Sequence, residues 1–150
     1  MTDLNGASTR ATPWHLWVVG IVALLWNAYG CYDYLMTTTG GEAYLRAMGE
    51  KMKWAPADVD AFVAYYASMP AWMTAVWAVG VWGGLLGALL LLLRMKLAVW
   101  VFVVSLLAYV LSVIATFLLT AAPDVVQSMI WMQVVIFAGC VFFVWYAWTM

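Results

Sequence analysis

The chain has 150 residues, 68% of them hydrophobic and 9% charged, with a formal net charge of -1. Soluble domains carry nearer a quarter charged residues, so this composition excludes a water-covered globular domain and makes lipid the main solvent. The charge balance also excludes the basic footprint of a nucleic-acid binder and shows no Lys/Arg cluster suited to lipid headgroups.

Residues 1–13 are short and polar and are expected to form a tail. The apolar run from Trp14 to Met36 is long enough to cross a hydrocarbon core of about 30 Å. It is longer than a signal-peptide core, so it is read as a retained first span. It carries Asn27 near its middle and Asp33 near its end. Residues 37–70 form the one sizeable polar stretch. Thr37 to Gly41 reads as a turn. Tyr44, Leu45, Met48 and Met52 then recur at helical spacing, and Pro56 suits the first turn of another helix. Val59, Phe62, Val63 and Tyr66 follow at i, i+3, i+4 and i+7. Two short amphipathic helices are expected here, as a cap over the bundle mouth or as a plain connecting hairpin.

Pro70 precedes the second span, 71–93. Gly80, Gly83, Gly84 and Gly87 share one face of it, and the pairs 80/84 and 83/87 each satisfy GxxxG. Such glycines let another backbone approach closely, either in a dimer seam or against a helix of the same chain. Arg94-Met95-Lys96 is a tight connector to the third span, 97–119. There Ser105, Tyr109, Ser112 and Thr116 form a polar stripe expected to face protein. Thr120 to Asp124 reads as a turn, with Pro123 opening the fourth span, 126–148. Gln133 and Cys140 share a face of that span. Cys31 and Cys140 form no CxxC pair, so neither a disulfide framework nor a metal site is expected, and no cofactor motif is present. The reading is an all-α membrane protein, a four-transmembrane-helix bundle with two short amphipathic helices between helices 1 and 2.

Four spans place both termini on one side. Counting positive charges close to the spans, Arg10, Arg94 and Lys96 put that side in the cytoplasm and the 37–70 cap outside it. At about 1.5 Å per residue, Asn27, Ser112 and Gln133 fall within roughly 6 Å of the midplane, on the cap side. Asp33, Thr74 and Thr116 lie roughly 12 Å out, towards the cap. These six residues are the candidate lining of a polar pocket that opens under the cap. Asp33 is its sharpest member: it either binds a proton or cation or serves as a cap at the helix end. Asn27 is expected to bond across helices. His15, beside Trp14 and Trp17, reads as an interfacial anchor. Tyr32, Tyr34, Tyr65 and Tyr66 read either as a rim for a sugar or organic cation or as an aromatic belt.

The segments Thr12-Pro13-Trp14-His15-Leu16-Trp17, Trp26-Asn27, Tyr32-Asp33-Tyr34 and Pro70-Ala71-Trp72-Met73-Thr74-Ala75, with the closing run from Ala138 to Trp148, carry a resemblance. The chain resembles a group of small four-span inner-membrane proteins of bacteria with no established activity, sometimes labelled sugar transporters. The resemblance implies a bacterial inner-membrane location and transfers no functional residue. The chain also looks loosely like small multidrug exporters, but Asp33 lies nearer a helix end and the cap is longer than their loops. Three functions are weighed. One is an accessory protein packing with itself or a larger membrane complex. The second is an oligomeric carrier of a small solute working around Asp33. The third is an enzyme, for which no nucleophile-base pair or metal spacing is visible.

Overall fold

A chain this apolar satisfies its backbone in lipid by forming helices, and the computed structural model, which describes residues 13–150, is built of helices alone among those residues. α1 runs Trp14–Thr39, α2 Gly41–Lys51, α3 Pro56–Ala67, α4 Ala71–Leu92 and α5 Leu97–Ile114, continued by a π-helical turn Ala115–Leu119. α6 is one turn, Asp124–Gln127, and α7 runs Ile130–Thr149. Four of these segments are long and apolar enough to cross a membrane: α1, α4, α5 with its π turn, and α7. The protein is an all-α, four-helix membrane bundle. The expectation for the tail falls, apart from Pro13, outside the described residues.

Two helix ends depart from the sequence reading. The turn expected over Thr37 to Gly41 shrinks to its glycines. Thr38 Oγ1 donates to Tyr34 O at 2.8 Å and Thr39 Oγ1 to Leu35 O at 2.6 Å. These back-bonds satisfy the hydroxyls inside the helix, so the threonine run extends α1 until Gly41 takes φ 54. The fourth span starts later than residue 126. Pro123 does precede a helix, but that helix stops after one turn, and the membrane helix restarts at Ile130. Val125 and Val126 are thereby free to face the cap, where both are buried.

The two tightest connectors close in the same way. Met95 N–H donates to Leu90 O and Arg94 N–H to Leu91 O, with Arg94 at φ 60. Trp54 N–H donates to Gly49 O and Lys53 N–H to Glu50 O, with Lys53 at φ 58. Each is a Schellman end with a basic residue in the left-handed position usually held by glycine.

Packing orders the spans α1, α4, α5, α7. One core, built on Ala23, Ala88, Leu91, Ala98, Phe102, Phe143 and Tyr146, fills the end where α1 starts, α7 ends and the Arg94–Lys96 connector turns. A second core, of Leu45, Phe62, Ala122, Val125 and Val126, joins α2 and α3 to α6 at the opposite end. The expected apolar faces of the cap helices are those that bury: Leu45, Val59 and Phe62 are all inaccessible, while Met52 stays exposed. Gly49 lets α2 approach α3 closely, since a Cβ there would meet Val59 Cγ2 at 2.7 Å.

Candidate functional site

The glycine face of α4 is used within the chain. A Cβ at Gly83 would meet Ser105 Cβ at 3.3 Å, and one at Gly87 would meet the Phe102 ring at 2.8 Å. At Gly84 it would overlap the Asn27 side-chain oxygen. The seam therefore seats α5 on one side and α1 on the other, and three polar groups follow from it. Asn27 Nδ2 donates back to Ala23 O at 2.8 Å, leaving its oxygen against Gly84. Ser105 Oγ donates to Gly80 O at 2.6 Å. Cys31 Sγ donates to Val81 O at 3.3 Å.

Along α5 the polar stripe faces protein, as its spacing implies. Tyr109 OH is shared between Gln133 O at 2.7 Å and Gln133 Oε1 at 2.8 Å, which ties α5 to α7. Thr120 closes the π turn: its N–H donates to Ala115 O, and its hydroxyl lies against the carbonyls of Ala115 and Thr116. Tyr65 OH then donates to Thr120 Oγ1 at 3.2 Å, linking the cap to α5. Ser112 Oγ is buried with no hydrogen-bond partner among the described residues. An unmet buried hydroxyl costs desolvation and returns nothing. Ser112→Ala is therefore expected to leave thermal stability in detergent unchanged or to raise it by up to about 1 kcal/mol. A fall in melting temperature would show that the hydroxyl has a partner.

The third location is the junction of α1 with the cap. Tyr44 OH donates to Asp33 Oδ1 at 2.7 Å. Tyr32 stands edge-on to Tyr44 with ring centres 6.5 Å apart, and Tyr29 lies 6.5 Å from Tyr32. Tyr34 meets Trp77 at 5.1 Å, and Tyr66 meets the same indole at 6.1 Å. Burial, then the hydrogen bond to Asp33, pushes the Tyr44 hydroxyl well above the ordinary phenol range. Burial, then the Asp33 charge, does the same for Tyr66. Both therefore stay neutral. The Arg46 guanidinium is held by Glu42 and Asp60, both at 2.7 Å, so it is not Asp33's counter-ion.

The structure does not gather the six candidate residues into one cavity. Asn27 sits on the α1–α4–α5 seam, Gln133 on the α5–α7 seam and Asp33 at the cap. Ser112 and Thr116 follow the α5 stripe, while Thr74 is half-buried and makes no side-chain hydrogen bond among the described residues. A recess of about 370 Å³ between α4 and α5 is walled by apolar groups such as Val79, Ala108 and Leu111. Another of about 240 Å³ lies beneath the cap between Tyr65, Met73 and Thr120. Neither takes a wall from any of the six. The physical reason is that Asn27, Ser105, Tyr109 and Gln133 find partners on their own helix or the next, so the helices close around them rather than around a shared cavity.

No protein-family model, curated protein or solved structure matches this chain. Among the described residues, no three metal-ligating side chains converge. Several links escape the sequence reading, among them Asp33 to Tyr44, Cys31 to Val81 and His15 to Tyr146. His15 Nδ1 and Tyr146 OH are 2.6 Å apart, so His15 joins the start of α1 to the end of α7. The two residues are far apart in the chain, and the pairing shows only once the bundle has closed.

Proposed function

We propose that this multi-pass membrane chain is an accessory protein, packing within a larger membrane complex of the bacterial inner membrane. The observation that carries this reading is the intrachain closure of the intramembrane polar groups. Asn27, Ser105, Tyr109 and Gln133 bond within the bundle, and none of them lines either of the two recesses described above. The internal use of the glycine seam removes one ready route to a homodimer, which favours a different partner. A non-catalytic role fits the same picture, because the single histidine is engaged by Tyr146 at the end of the bundle away from Asp33. The termini and the Arg94–Lys96 connector are placed in the cytoplasm by the positive-inside rule, with the cap outside.

Native mass spectrometry of the protein, gently extracted from its own membrane, tests the proposal. A hetero-complex is the expected result, and a lone monomer would overturn it. One observation favours the second reading, an oligomeric carrier: Asp33 has no ion-pair partner among the described residues. A homo-oligomer that loses coupled uptake in Asp33→Asn would establish that reading instead.

A further inference from the structure

Asp33 is the only acidic residue within the four spans. Its carboxylate accepts one hydrogen bond, from Tyr44, and meets no cation among the described residues. A negative charge beside hydrocarbon is costly unless an opposite charge offsets it. The chain supplies a hydroxyl and several aromatic rings but no positive group. Tyr29 and Tyr32 are exposed, and Tyr44 reaches the carboxylate from α2, with its ring edge-on to Tyr32. Aromatic faces attract cations, most strongly where water is thin. A sugar would want several directional donors and acceptors, and a metal ion would want more oxygen ligands than converge here. One carboxylate with neutral rings suits a bulky, diffuse positive charge best.

We propose that Asp33, with the rings of Tyr29, Tyr32 and Tyr44, forms a binding site for a small organic cation of the substituted-ammonium class. The site lies where α1 leaves the membrane and meets the cap. The proposal is independent of the accessory reading, since binding and complex formation are measured separately.

The test is equilibrium dialysis of labelled choline against the full chain in nanodiscs of zwitterionic phosphatidylethanolamine, which carries no net charge to draw cations. Saturable binding near one per chain is expected, with no competition from a neutral isostere, 3,3-dimethylbutanol. Asp33→Asn should weaken binding by at least about tenfold through loss of the charge. Tyr44→Phe keeps the ring and frees the carboxylate, so it should retain binding. If Asp33→Asn fails to fold, Tyr32→Leu carries the test; Tyr32 is exposed, and its loss should weaken binding about two- to fivefold. No saturable binding by the native chain, equal competition by the neutral isostere, or unchanged affinity in the variant read would each overturn the proposal.

Discussion

Gly84→Ala is expected to cost about 3 kcal/mol or more, measured by reversible unfolding in mixed detergent micelles. The added methyl would overlap the Asn27 oxygen, stand 2.9 Å from Asn27 Cγ and lie 3.3 Å from Ser105 Oγ. Neither neighbour can step aside cheaply. Asn27 is held by its bond to Ala23 O, and Ser105 by its bond to Gly80 O. Relief requires α1 to move off α4, which gives up van der Waals contact along the seam, the main force between helices in lipid. Gly80→Ala is the internal control. Its Cβ would meet only ordinary contacts, the nearest being Tyr109 N at 3.8 Å, so it should fall within about 0.5 kcal/mol of the native protein. Equal losses at the two positions would show that α4 is not seated as described.

Phe62→Ala should release the cap while leaving the spans assembled. Phe62 is 2% exposed and is the largest fully buried side chain of the described residues. Its ring packs against Trp54 at 5.0 Å and Tyr66 at 4.9 Å, in the core that joins α2, α3 and α6. Truncating a buried phenylalanine costs about 3–5 kcal/mol. The loss falls on a unit tied to the bundle by few polar links, among them Tyr44 to Asp33 and Tyr65 to Thr120. The open population of the cap should therefore rise by about a hundredfold to a few thousandfold. Trypsin cleavage after Lys51 and Lys53, both exposed, should speed up accordingly, with the detergent-unfolding midpoint of the spans little changed. Loss of the spans in parallel would mean that cap and bundle form one cooperative unit.

The spans were legible in the sequence because lipid leaves the backbone few choices and twenty apolar residues announce themselves. The cap helices were legible from Pro56 and the spacing of Val59, Phe62 and Val63. The ends were harder. Nothing local says that Thr38 and Thr39 will bond back to α1, or that the helix after Pro123 will stop at Gln127 so that its valines can serve the cap. The glycine face was plain, but its occupant was not, because a seam pattern is identical for a second copy and for a neighbour in the same chain. The pocket expectation rested on depth alone. Depth places Asn27, Ser112 and Gln133 at similar levels, yet which seam each enters depends on the helix order. The Asp33–Tyr44 bond likewise needs α2 folded back over the end of α1.

The α4–α5 pair, joined by the Arg94–Lys96 turn, also bears on how the protein is made. α4 and α5 are sequence neighbours, so their glycine seam can close as soon as both helices have left the ribosome. α1 has no such neighbour: the Cys31 thiol meets the Val81 carbonyl fifty residues further along the chain. At synthesis rates of about 5–20 residues per second, α1 waits on the order of seconds in the bilayer before its partner arrives. The Asn27 amide is partly provided for during that interval, because one of its two N–H groups already donates to Ala23 O of its own helix. An amide anchored in this way waits in lipid at reduced cost, and its oxygen packs against Gly84 when the hairpin docks.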